Sequence, residues 1–289
     1  VGNHDPWWTS VANLYRFRFF NDPTNTANLF TTFQDNYIQT NDLDRIRELG
    51  YNCIRLPFFH TLLEDDHNPY VYKQSGWDRL DTLLEECRKR HLWVILDLHS
   101  TPGSQNPYQA SGFRDPFRNR LWHSSYYQDR TAALWVEIAR RYSNETTVAG
   151  YDLFNEPVPY TKGTWTSAQA FSNNIMPMLE RLYTAIRSND TSHVLFMESN
   201  LMYTNMWASK DYLWWPDPAA KGWTNVCYQF HVYDRTVYGR TGSDEDSWFT
   251  TQKGICDTMI RSFTELRETR SAPIYVGEYA PWNEQNFDY

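Results

Sequence analysis

No apolar run in these 289 residues reaches the eighteen or so that a bilayer-crossing helix needs, so no membrane span is expected and the protein should be soluble. Basic charge is also in short supply: 27 Lys and Arg stand against 35 Asp and Glu, a net charge of −8, and no segment carries a basic face. That argues against a nucleic-acid partner, because phosphate binding needs such a face. Four cysteines are too few to make a disulfide scaffold in a chain of this length. Cys53 and Cys227 fall in strand-like runs and Cys87 and Cys256 in helix-like ones, so buried free thiols are expected. No glycine-rich phosphate loop follows any apolar run, which weakens the nucleotide-binding open sheets. His-x-His is missing from every strand end, and Asp97-Leu-His99 is a poor substitute, so neither metal nor cofactor is expected. No low-complexity linker divides the chain, and residues 1–289 read as one domain.

What the sequence has in surplus is aromatic side chains, 17% of residues with 13 Trp and 20 Tyr. They suit either a large core or a cleft lined with flat rings that stack on sugar faces. Asn144-Glu-Thr and Asn189-Asp-Thr fit the glycosylation acceptor pattern at two helix ends. Short apolar runs alternate with amphipathic ones from residue 41 onward. Runs 52–57, 92–98, 148–154, 193–197, 226–230 and 274–276 read as strands. Residues 42–49, 77–87, 134–142, 167–186 and 247–270 carry helical spacing, with Pro177 bending the fourth. Strands alternating with helices imply parallel neighbours joined by helical crossovers, with the (β/α)8 barrel the first candidate and a doubly wound sheet the second.

The polar residues gather where the strands finish: Arg55, His99, Asn155 with Glu156, Glu198, His231 with Tyr233, and Glu278. Taken singly, a strand-end Arg is a structural ion pair, a lone His a satisfied rim residue and a strand-end Glu a loop cap. For His99 or Glu198 alone that plainer reading is preferred. Together, on the one rim where a parallel barrel opens all its strand ends, they point to chemistry. Two glutamates on separate strands suit glycoside hydrolysis, one protonating the leaving oxygen and the other attacking the anomeric carbon or activating water. Arg55 would hold Glu278 ionised as a nucleophile, while Glu156 in a drier setting keeps its proton as an acid. Asn155 suits a sugar 2-hydroxyl, and His231 and Tyr233, two apart on one strand, point the same way.

The segments NCIRLPF, WVILDLHSTPGSQN, YDLFNEP, FHVY and YVGEY resemble, in order, the strand-end motifs of glycoside hydrolase family 5, the retaining β-glycosidases on a (β/α)8 barrel. The Pro-Gly-Ser-Gln-Asn loop after His99 is similar to the fungal exo-β-1,3-glucanase branch, from which Ser100 departs, Gly being usual there. The resemblance covers residues from about 36 to 282 and implies a β-glucan oligo- or polysaccharide substrate and a secreted enzyme. It makes Glu156 the acid/base and Glu278 the nucleophile, their carboxyls about 5 to 5.5 Å apart. Arg55, His99, Asn155, His231 and Tyr233 become the shell around them. Trp282 is then the candidate for stacking near the cleaved sugar, and Trp165, Trp207, Trp214, Trp215 and Trp223 are candidate sugar platforms. Trp214 and Trp215 cannot both face the cleft, so at least one of them is expected to pack the loop. A non-catalytic carbohydrate-binding barrel and an endo-β-1,4-glucanase or mannanase of the same family are the alternatives. Counting strands by the motifs makes 52–57 the second and 274–276 the seventh. Eleven residues after Glu278 are fewer than the thirty or so an eighth strand and its helix need. Arg16–Phe20, which alternates like a strand, is the candidate first. The chain is therefore expected to be a piece of a longer polypeptide, or to have its barrel completed by a second chain, a rearranged N-terminal segment or a neighbouring copy.

Overall fold

The computed structural model describes residues 23–107, 111, 119–159, 170–199, 211–234 and 245–281. Its centre is a sheet of six parallel strands, β1 (Cys53–Phe59), β4 (Trp93–Ser100), β5 (Val148–Asp152), β6 (Val194–Glu198), β7 (Val226–Asp234) and β8 (Ile274–Pro281), paired in that order. β2 (Glu64–Asp65) and β3 (Asn68–Tyr72) form a small antiparallel pair to one side. Helices α1 (Pro23–Tyr37), α2 (Thr40–Glu48), α3 (His60–Leu63), α4 (Gln74–Lys89), α5 (Ser125–Tyr142), α6 (Met176–Arg187) and α7 (Glu245–Arg270) fall between or before the strands. The six strands and the alternation with helices are those the apolar runs predict. Among the described residues β1 and β8 are the sheet's edges and do not pair with each other. Arg16–Phe20 lies outside the described residues.

The bend expected at Pro177 takes the form of a π turn. Residues Phe171–Ile175 are wound one residue wider, with Met176 N–H donating to Phe171 O, immediately before α6 begins with Pro177 in its first turn. Proline has no N–H for the ordinary bond, so the chain enters the helix by the looser winding.

Alternation along the strands separates two layers. Leu56, Leu96, Leu98, Tyr151, Leu195, Met197, Tyr228 and Phe230 face the helices and join Trp77, Leu84, Trp135, Ile138, Leu179 and Leu182 in the main core. Ile95, Phe196 and Cys227 face the other way and make a smaller cluster with Val194 and Tyr275. This second face is the inside of a curl. In a flat sheet β1 and β8 would lie about 24 Å apart, five strand spacings. Instead Arg55 on β1 reaches Glu278 on β8 at 2.7 Å.

The aromatic surplus belongs largely to the outer layer, which corrects the expectation of sugar platforms at three positions. Trp215 is fully buried, stacked on Tyr228 at 4.2 Å and edge-on to Phe171 at 5.1 Å. Trp214 packs on Phe171, and Trp223 on Tyr183 at 5.4 Å. Both members of the Trp214–Trp215 pair thus pack the loop. Trp165, Trp207 and Trp282 lie outside the described residues. Cys87 and Cys227 are buried free thiols as expected, but Cys53 is exposed, because it opens an edge strand rather than an inner one. Among the described residues no helix is long and apolar enough to cross a membrane.

Candidate active site

The inside of the curl is polar toward the C-terminal ends of its strands. Above the small apolar cluster sit Asp97, Asp152 and Gln229, all fully buried, gathered around Arg55. Arg55 Nε donates to Asp152 Oδ2 at 2.8 Å, and its Nη2 lies 3.1 Å from Asp97 Oδ2 and donates to Asn155 Oδ1 at 2.8 Å. Its Nη1 donates to Glu278 Oε1 at 2.7 Å. One guanidinium therefore ties four strands together and places a positive charge against Glu278, which favours the carboxylate form of that residue. Burial alone would weaken the proton affinity of Arg55, but Asp152, Asp97, Glu278 and Glu198 outweigh it and raise its pKa further. Asp152 moves up because burial dominates over the nearby Arg55.

Glu278 gets its direction from a bulge. The β7–β8 register passes from Phe230 opposite Val276 to His231 opposite Glu278, so Gly277 is the extra residue and Glu278 is turned into the curl. Glycine is required there, since a Cβ would stand 2.7 Å from Gln229 Nε2 and 3.0 Å from His231 Nε2.

Glu156 stands opposite, just past β5, 6% exposed and at φ +44°, a left-handed conformation that a non-glycine residue holds only when its surroundings insist. The surroundings do. Glu156 N–H donates to Glu198 Oε2 at 2.8 Å, and Glu156 O accepts from Asn106 Nδ2 at 2.6 Å. Gln105 Nε2 donates to Asn155 O at 2.7 Å and to His99 O at 2.9 Å, while Gln105 O accepts from Trp122 Nε1 at 2.9 Å. The Ser-Gln-Asn loop after β4 thus straps down the turn that carries Glu156.

His231 joins the two halves. Its Nδ1 lies 2.9 Å from Glu156 Oε1, 3.5 Å from Glu198 Oε1 and 3.6 Å from Glu278 Oε2. Burial opposes a charge on the ring, but the carboxylates of Glu198, Glu156 and Glu278 push its pKa up to about 9. Gln229 Nε2, which donates to Asp152 Oδ2 at 2.9 Å, stands 3.3 Å from His231 Nε2. The carboxylates around Nδ1 keep a proton there, donated to Glu156. One ligand atom from each of Glu156, His231 and Glu278 lies within 4.8 Å of the others, so the two carboxylates approach at close range. His99 stands beside them with Nδ1 2.7 Å from Asp97 Oδ2, its pKa raised because the Asp97 charge overcomes burial.

Of the residues singled out from the sequence, Glu156, Glu278, Arg55, His99, Asn155 and His231 converge on this one place. Tyr233 lies on β7 two positions past His231, its side chain outside the described residues. The sequence reading passed over Asp152 and Gln229, and it weighed Asp97 only as a metal ligand. The signal was the strand period: Asp97 lies two before His99 and Gln229 two before His231, on the same inward face.

The profile of the cellulase family, glycosyl hydrolase family 5, matches residues 18–289. A beta-xylosidase of Phanerodontia chrysosporium is 31% identical over 255 residues, covering 87% of this chain and 49% of its own. Endoglucanase C of Acetivibrio thermocellus is 31% identical over 166 residues, covering 57% of this chain and 43% of its own. The chain thus spans less than half the length of either relative. Among solved structures, the endoglucanase Cel5A of Thermotoga maritima superposes with a TM-score of 0.57 at 21% identity, over 85% of this chain and 73% of that one. The likeness shows the fold, in which the six strands belong to a (β/α)8 barrel. The chain belongs to glycosyl hydrolase family 5.

Proposed function

We propose that this chain is the catalytic part of a retaining β-glycosidase acting on β-glucans, with Glu156 as acid/base and Glu278 as nucleophile. The observation that carries the reading is the close approach of two carboxylates from opposite sides of the curl, their nearest oxygens within 4.8 Å. Such a spacing matches the closely set carboxyl pair of a retaining enzyme rather than the wider pair that inversion needs. Glu278, charge-paired with Arg55, attacks the anomeric carbon while Glu156 protonates the departing glycosidic oxygen, forming a glycosyl-enzyme. Glu156 then takes a proton from water, which attacks the anomeric carbon from the face the leaving group left and breaks its bond to Glu278, releasing the carboxylate. His231 donates to one oxygen of Glu156, leaving the other for the travelling proton. Asn155, locked on Arg55, serves the sugar 2-hydroxyl in this reading, and His99 serves the same sugar. Tyr233 and Trp282 belong to this set by the family's motifs, Trp282 as the stacking platform. No metal or cofactor takes part in these steps. The same reading makes it a secreted enzyme, as action on a polysaccharide would require.

The named relatives, a beta-xylosidase and an endoglucanase, widen the test to xylosides and to glucans cut within the chain. Aryl β-glucosides, aryl β-xylosides and defined β-1,3, β-1,4 and β-1,6 oligosaccharides are incubated with the chain, and the first-formed anomer is read by proton NMR. Retention is expected. Glu278→Ala should lose nearly all turnover and recover an α-glycosyl azide product with added azide, whereas Glu156→Ala should keep its first step on substrates with good leaving groups. An inverted first product, or identical behaviour of the two variants, overturns the reading. Binding of oligosaccharides with no turnover on any substrate would favour the non-catalytic alternative.

A further inference from the structure

Glu198 ends β6 with its side chain wholly buried, and an isolated carboxylate in such a place is costly unless it is engaged. Its two oxygens do different things. Oε2 accepts the Glu156 N–H at 2.8 Å, whereas Oε1 has no hydrogen bond and faces His231 Nδ1 at 3.5 Å. The backbone ladder between β5 and β6 has already run out at this point. Its register ends at Asp152 opposite Phe196, and the last bond along it is from Leu153 N–H to Phe196 O at 3.2 Å. Two residues further along β6, a side chain takes over as the acceptor for the chain that is leaving the sheet. The residue it catches is Glu156, which holds a left-handed φ of +44°.

We propose that Glu198 is a positioning residue of this site: its carboxylate holds the amide of Glu156 in the left-handed turn and so aims the Glu156 carboxyl across the curl at Glu278. The inference rests on the reading of Glu156 as acid/base. A left-handed backbone costs a non-glycine residue of order 1 kcal/mol or more and persists only when fixed from several sides. Here the carbonyls of Asn155 and Glu156 are held by the side-chain amides of Gln105 and Asn106, and the one N–H is held by the buried Glu198 carboxyl, whose pKa burial raises. The carboxylate has a second effect through His231. That ring is faced by Glu156 after β5, Glu198 on β6, Glu278 on β8 and Gln229 on its own strand, with Asp152 behind Gln229 and Arg55 behind Glu278. Glu198 Oε1 presents a second oxygen on the Nδ1 side at 3.5 Å, so the proton donated to Glu156 stays in place.

The test compares Glu198→Ala, Glu198→Gln and Glu198→Asp with the wild type on two aryl β-glycosides, one with a good and one with a poor leaving group. Glu198→Ala loses the hold. Its kcat/KM on the poor leaving group should fall about 100-fold, the scale of a general-acid contribution, while that on the good leaving group, which departs unprotonated, changes less than about threefold. Glu198→Gln keeps an acceptor for the amide and should recover at least about tenfold of the loss. Glu198→Asp keeps the carboxyl but falls a methylene short, and should resemble Glu198→Ala. An equal fall on both substrates, as from simple loss of folded enzyme, overturns the proposal, and so does an unchanged ratio in all three variants. Exchange of the Glu156 amide proton, read by NMR, gives an answer that needs no turnover: about tenfold faster in Glu198→Ala and restored in Glu198→Gln if the proposal holds, unchanged if it does not. Wild-type inactivity on every glycoside would sink the proposed function while the exchange measurement still decides the hold.

Discussion

Replacing Arg55 by alanine removes one cation and strands the anions it serves. Asp97 and Asp152 are both fully buried, and Arg55 Nε and Nη2 are their shared guanidinium partners at 2.8 and 3.1 Å. His99 and Gln229 would remain as single polar neighbours, too little to offset two buried charges. Breaking a buried pair by deleting one partner costs about 3–5 kcal/mol, which in a domain of this size lowers the melting temperature by roughly 6–20 °C. The deficit should depend on pH in a definite direction. Burial already raises the Asp152 pKa, and Arg55 is the largest influence opposing that rise, so in Arg55→Ala it climbs further. A carboxylate whose folded pKa lies above its unfolded one costs stability while it is ionised. That cost is fully present above the raised folded pKa, shrinks as the pH falls below it, and is gone below the unfolded value near about 3.9. Thermal melts of wild type and variant at pH 8, 6 and 4.5 should therefore converge as the solution is acidified. Arg55→Lys keeps the charge without the fork and should recover part of the stability and little of the turnover. A deficit that stays constant across this range, or a variant as stable as wild type at pH 8, would refute the account of Arg55 as counter-ion to a buried anionic floor.

Gly277→Ala should lower turnover at least about tenfold with a small loss of stability, since the new methyl displaces Gln229 and His231; unchanged kinetics would mean that the bulge has room. The folded pKa of His231, about 9, lies above its unfolded value near 6.5, so its contact with the glutamates contributes about 3 kcal/mol that is complete below about pH 6.5 and lost as the pH rises through 9. The stability gap between wild type and His231→Gln, followed by urea unfolding from pH 6 to 10, should close over that interval, and a flat gap would count against it. Trp215→Ala should cost about 3–5 kcal/mol with KM for oligosaccharides unaltered, because this ring packs on Tyr228 and Phe171. A raised KM would return it to the list of sugar platforms.

The strands were legible because each is a run of apolar residues covered on one side by helices and on the other by the curl. The run 92–98 became β4 at Trp93–Ser100, and 226–230 became β7, longer by the alternating His231, Val232, Tyr233 and Asp234. The rim was legible because Asn155, Glu156 and Glu278 interrupt apolar segments at their ends. The floor beneath it was not. Asp152 sits inside an apolar run, where a polar residue reads as a boundary, and only the curl that brings β1, β4, β5 and β7 around one guanidinium explains it. The bulge at Gly277 was hidden for a similar reason, since register is a property of two strands and a single strand carries half of it. Tryptophan misled because the same flat ring serves a sugar or a helix, and its neighbours in space decide which.

The contact between Arg55 and Glu278 spans 223 residues of chain, although each strand of the sheet pairs with the next one in sequence. Assembly can therefore proceed by short steps, each strand settling beside its predecessor, with the entropy of closing the whole length spread over the intervening units. Nothing in those steps requires β1 and β8 to meet. A chain with all its ladders formed but its arc still open would show the full circular-dichroism signal of the native protein while Arg55 stood away from Glu278. During refolding, turnover should accordingly trail secondary structure, and a substrate analogue that spans the two carboxylates should speed that last phase by favouring the closed arc.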